Sequence, residues 1–140
     1  MRSYILPALL VMAMTGAPLS ADEGADRFDA VTAAPDSHEV LLENDHVRVL
    51  HVVVAPGTTE PIHDHRWPSV MYFEQAQPIT YITYALVDGQ PTETQRNDAP
   101  AEAMTGALAV PSEGLHAIYN RGSAPFIALR VEFKDTPPGK

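Results

Sequence analysis

The stretch Pro56-Gly57-Thr58-Thr59-Glu60-Pro61-Ile62-His63-Asp64-His65 carries two histidines one residue apart in a strand-like context. Side chains alternate faces along a strand, so His63 and His65 point the same way and their imidazoles can meet at one ion. A second stretch, Gly106-Ala107-Leu108-Ala109-Val110-Pro111-Ser112-Glu113-Gly114-Leu115-His116-Ala117-Ile118-Tyr119-Asn120, delivers His116 at the start of another expected strand. A barrel can bring it opposite the first pair. Imidazole suits Zn, Fe, Cu, Ni and, with oxygen ligands, Mn, so the three histidines imply a divalent metal without choosing it. The competing reading makes them ordinary polar residues lining a barrel mouth. Three neutral imidazoles converging in a partly buried place would then each need a hydrogen-bond partner of their own.

Outward from these stretches, short runs of β-branched and aromatic residues alternate with Pro, Gly, Asn and Asp, the pattern of an all-β domain. The expected strands are 39–43, 47–55, 60–65, 70–74, 79–87, 92–96, 103–110, 116–120 and 126–133. Asn44-Asp45, Pro56-Gly57, Asp88-Gly89 and Arg121-Gly122 punctuate them as turns. Many short strands without a long amphipathic helix indicate a sandwich or barrel, closed or doubled to protect its edges.

The two stretches resemble the paired motifs of the cupin superfamily. Gly57, His63 and His65 match the first motif; Gly106, Pro111, Gly114, His116 and Asn120 reproduce the second with the inner spacing altered by about one residue. The resemblance covers roughly residues 47–133 and implies a cupin-type jelly-roll β-barrel with a metal inside. It also implies a glutamate ligand three or four residues after His65, where this chain has Ser69 and Val70. Three alternatives follow. Three histidines act with water or substrate completing the shell, or a bulge brings in Glu74, or the site no longer binds metal.

Tyrosines provide apolar walls with a polar tip, and Tyr72, Tyr81 and Tyr119, with Glu74, are the candidates to line a pocket. Trp67-Pro68 follows the histidine pair and is placed at the barrel entrance. Tyr84 has no assigned face. Arg48 and Arg130 lie in apolar strands and are expected to face outward; turned inward, either would anchor a substrate carboxylate. His38 and His46 are expected to be exposed, and His51 to be a core histidine.

The chain has 140 residues, about one domain. Residues 1–21 read as a signal peptide, 22–38 as an irregular or briefly helical lead-in, and 39–135 as the barrel domain. The apolar run from Tyr4 to Met14 is broken by Pro7 and falls short of the ~20 residues of a membrane span, so no stable membrane anchor is expected. That places the protein in the periplasm or outside the cell. There is no cysteine, so the fold must be held by its core alone, and thiolate ligands and nucleophiles are excluded. With Arg2 removed, eight basic residues face eighteen acidic ones, which makes nucleic acid an unsuitable partner. Three readings remain: a metal-dependent enzyme, dioxygenase-like or isomerase-like, acting on a small oxygen-containing molecule; a non-catalytic module that binds a metal or small ligand; or a purely structural oligomerisation unit. A homodimer is expected in each case.

Overall fold

The structure is a computed structural model and describes residues 26–136. The expected signal peptide lies outside the described residues. Nine strands follow a single helical turn, α1 (Ala30–Ala33): β1 (His38–Glu43), β2 (Val47–Val54), β3 (His63–His65), β4 (Ser69–Gln75), β5 (Ile79–Val87), β6 (Gln90–Ala99), β7 (Ala107–Val110), β8 (Glu113–Asn120) and β9 (Phe126–Phe133). They form two antiparallel sheets, one in the order β1-β2-β9-β4-β7 and the other β3-β8-β5-β6. This is the expected jelly roll, built as two facing sheets that are not joined into a closed barrel. Among the described residues no helix is long and apolar enough to cross a membrane.

All nine expected strands form, and their limits differ where local chemistry intervenes. Pro61 has no N–H to give a ladder, and β3 shrinks to three residues. The Asp88-Gly89 turn has positive φ at both positions (51° and 76°), the geometry of a tight hairpin. It drives β6 to pair with β5 as far as Ile79 and Ala99, well past the expected end. Ala101–Ala103 make a 3-10 turn and Gly106 takes φ 66°, so β7 starts later than expected.

The core lies between the sheets. Leu50, Val52 and Val54 from β2, Met71 from β4, Ile79 from β5, and Phe126 and Ala128 from β9 pack together, with Ile118 of β8 against them. Strict alternation along β2 and β9 turns Arg48, Arg130 and Glu132 to the same side as these residues. Arg48 is 3% exposed, Arg130 2% and Glu132 0%. The outward expectation for the two arginines is therefore corrected: they share parity with Leu50 and Ala128, and register sets Arg48 opposite Glu132. The outer face of the same strands carries Val47, Val49 and Val53 and Ile127, Leu129, Val131 and Phe133. Polarity is thus inverted at this end of the sheet, with charge inside and hydrocarbon outside.

Candidate metal centre

His63 and His65 leave β3 on one face, and His63 pairs in register with His116 of β8. Their rings gather closely. Centroids are 4.4 Å apart for His63 and His116, 5.0 Å for His63 and His65, and 5.6 Å for His65 and His116. All three side chains are buried. The Nδ1–H of each is committed: His63 donates to the Pro61 carbonyl at 2.8 Å, His116 to the Gly114 carbonyl at 2.8 Å, and His65 to Glu132 Oε1 at 2.6 Å. A carbonyl can only accept, so Nδ1 of His63 and His116 holds the proton and Nε2 keeps its lone pair. Nε2 of His63 is buried with no hydrogen-bond partner. Fixing Nδ1 on an outer acceptor is how a metal-ligating imidazole is oriented.

The structure adds a fourth histidine. His38, expected to be exposed, is 3% exposed; its ring lies 4.5 Å from His63 and 5.2 Å from His65, with Nδ1 3.3 Å from the Ala34 carbonyl. It is the one inward residue of the edge strand β1, and the turn at α1 folds the lead-in back over it. Asp29 caps α1 through the Val31 N–H and receives Arg48 through both Nη atoms, at 2.9 and 3.1 Å. The Asp64 N–H donates to the Phe28 carbonyl at 2.7 Å, fastening the lead-in to β3. His46 is exposed as expected. His51 is not in the core; it stands half-buried on the outer face, 3.9 Å from Glu39.

Two carboxylates also reach the cluster. Three sets place one ligand atom per residue within 4.8 Å of one another: His38, His63 and His65; Glu60, His63 and His116; and His65, Glu113 and His116. Every pair among His63, His65 and His116 shares one of these sets. Neither acid is at the position the cupin pattern assigns. Ser69 there is buried with its hydroxyl unpartnered, and Glu74 is exposed, so no bulge brings it in. Glu60 and Glu113 instead each stand three residues before a histidine. A regular strand would put them on the opposite face. Pro61 lies outside the ladder, and a register shift sets His65 against Glu113, so β8 spends three residues where β3 spends two.

The cavity enclosed by these groups has a volume of about 30 Å³ and is walled by Val52, Met71 and Ile118. Tyr81 lines it as expected. Its ring stacks on His116 at 4.9 Å and 16°, and its hydroxyl donates to Glu113 Oε1 at 2.9 Å. Tyr72 and Tyr119 do not line it, and Tyr72 is 52% exposed. Trp67 sits outside, under the guanidinium groups of Arg48 and Arg66.

Burial lowers the pKa of His38 to about 4, pulls His63 and His65 well below the usual imidazole value and moves His116 in the same direction, so all four are neutral at pH 7. Burial raises Glu60 to about 8, against the opposing hydrogen bond from the Ile118 N–H. Burial also works against the Glu113 carboxylate, but Arg130 beside it holds its pKa below the ordinary value. Below pH 6.5 the unfolded histidines take up protons that the native ones refuse, so stability should fall with pH at up to about 1.4 kcal/mol per unit per histidine. Glu60, Asp64 and Glu132 act oppositely, because burial raises their carboxyl pKa values and their contributions decline as pH rises, for Glu60 from 4.5 through about 8, but they are three groups against four. Urea unfolding of metal-free protein should therefore show a lower midpoint at pH 5 than at pH 7; a flat or rising profile would contradict the burial of these imidazoles.

No protein-family model matches the chain, and no curated protein does. Solved structures do. A cupin domain from Bordetella pertussis Tohama I superposes with a TM-score of 0.51 at 18% identity, covering 69% of this chain and 91% of that one. A protein from Bacillus halodurans superposes with a TM-score of 0.50 at 14% identity, covering 91% of this chain and 86% of that one. At these identities the likeness concerns the backbone alone. The chain has the cupin fold, a two-sheet jelly roll with its histidine cluster between the sheets.

Proposed function

We propose that the cavity holds a divalent metal through His63, His65 and His116, with His38 in reach to complete the shell, and that the protein is a metal-dependent enzyme acting on a small oxygen-containing molecule. The observation that carries this reading is the shared arrangement of the imidazoles, each with Nδ1 anchored and Nε2 left as a donor. The donor set fits such an ion, because neutral imidazoles need lose no proton to bind it. When bound, the metal supplies a Lewis acid or a redox centre for an oxygen ligand.

The remaining groups are the chain's own chemistry. Glu60 keeps a proton at neutral pH; its Oε1 is 3.9 Å from Nε2 of His63 and its Oε2 has no partner, so it can give or take a proton at the cavity wall. Tyr81 fixes the plane of His116 and, through its hydroxyl, the position of Glu113. Val52, Met71 and Ile118 exclude water.

A second reading, a module that binds metal without turnover, is favoured by the engagement of Glu113. With Oε2 on Arg130 and Oε1 on Tyr81, it is not free in the way of the missing glutamate. Under either reading a second copy covers the apolar outer face. Strands ~4.8 Å apart and ~3.4 Å per residue give that sheet several hundred Å², the order of the ~800 Å² per partner of a stable interface.

One preparation tests these points. Tag-free protein should carry metal stoichiometrically by elemental analysis and have twice the chain mass by light scattering. Iron(II) added to the apoprotein should give oxygen uptake with diols, thiols or β-diketones above that of free metal. Stoichiometric metal without turnover supports the binding module, and failure to take up any divalent metal defeats both readings.

A further inference from the structure

We infer that the cavity is built to receive a small carboxylate, paired by two hydrogen bonds to the guanidinium edge of Arg130 while its other end reaches the imidazole cluster. The inference rests on the metal reading above and names the ligand class of the same site. Arg130 is 2% exposed and lines the cavity together with His38, His63, His65 and His116. Its Nη1 is used, donating to Glu113 Oε2 at 2.6 Å and lying 3.7 Å from Met71 Sδ. Its Nε and Nη2 are buried and have no hydrogen-bond partner; the nearest carboxylate, Glu132 Oε1, is 3.6 Å from Nε. Nε–H and Nη2–H lie parallel along one edge of the guanidinium plane, the fork that matches the two oxygens of a carboxylate. Arg48 cannot play this part, because its donors are taken by Asp29 and Glu132.

Charge favours the same ligand. Arg48 and Arg130 face three carboxylates, Asp29, Glu113 and Glu132, at this end of the sandwich. Within the cavity wall itself Arg130 and its partner Glu113 cancel, so a divalent ion bound there leaves positive charge for a small anion to balance. The cavity volume of about 30 Å³ and the apolar walls restrict that anion to a few heavy atoms.

Acetate, with acetamide as its neutral counterpart, is the probe, and zinc is the metal. Zinc uptake is measured first, in acetate-free buffer. Calorimetry on the zinc-loaded protein should then show acetate binding about tenfold or more tighter than acetamide, the size of one charge-assisted hydrogen bond. The Nε–H resonance of Arg130 should move on adding acetate. Arg130→Lys keeps the charge and removes the fork, so it should retain zinc and lose about tenfold in acetate affinity. Acetate binding unchanged in R130K would mean that the metal alone holds the anion, and equal binding of acetate and acetamide would mean that no charged anchor acts on the ligand; either would overturn the inference while leaving the metal reading in place. Absence of zinc uptake would sink both. Should R130K fail to fold, the Arg130 Nε–H resonance in the unaltered protein decides, and a resonance that acetate leaves unmoved overturns the inference.

Discussion

Alanine at both His63 and His116 should lower metal affinity by about a hundredfold or more, since even the loss of a group that merely orients a ligand costs about 10–100-fold. The metal-free fold should change little. The two rings are cross-strand neighbours at the centre of the cluster, and each is held by a single bond to a carbonyl two residues earlier in its own chain. Deleting them breaks no ion pair, and the losses are confined to the donors on the Pro61 and Gly114 carbonyls and the ring stacked on Tyr81. It also removes the unpartnered Nε2 of His63, whose burial opposes folding and offsets part of the lost packing. The checks are metal titration by calorimetry, and far-ultraviolet circular dichroism with a thermal melt of the apoprotein. A double variant that binds the metal as tightly as the parent would show that the ligands lie elsewhere.

Glu132→Ala should be the most damaging single change within the site. The residue is 0% exposed and accepts from Arg48 Nε at 2.6 Å and His65 Nδ1 at 2.6 Å, with Arg130 Nε 3.6 Å away. Its loss leaves two guanidinium groups buried with too little counter-charge, a situation that typically costs about 3–5 kcal/mol. It also frees the His65 ring, so metal affinity should drop by about 10–100-fold besides. Glu132→Gln keeps the shape and one acceptor and should fall between the two. Urea unfolding with an unchanged slope measures the first effect and metal titration the second; a loss below about 1 kcal/mol would mean that these charges are not buried together as described.

The fold was legible because strand periodicity is a local property. All nine strands can be read from β-branched runs and turn residues, and His63, His65 and His116 from period two and the paired motifs. What escaped was set by long-range register or by breaks in parity. Glu60 and Glu113 each stand three residues before a histidine, and the repeated Glu-x-x-His was the available sign; reading 60–65 as one unbroken strand and leaving 111–115 outside the strands hid it. His38 could not be found, because its burial depends on α1 folding back through Ala34. Arg48 and Arg130 were placed outside on the rule that cations avoid interiors. The alternation that puts Leu50 and Phe126 inside already put them there too, and only the partners Asp29, Glu113 and Glu132 make that tolerable.

The last strand, β9, lies in the middle of its sheet, between β2 and β4, and contributes both Arg130 and Glu132. A nascent chain therefore has His65 synthesised well before Glu132, the residue that orients its ring. Until the C-terminal segment inserts, β2 and β4 have no common neighbour, His65 has no acceptor for its Nδ1 proton, and the imidazoles have no shared chamber. Assembly of the imidazole cluster is thereby tied to synthesis of β9, so a chain cut short before that strand forfeits the arrangement even though all four histidines are present.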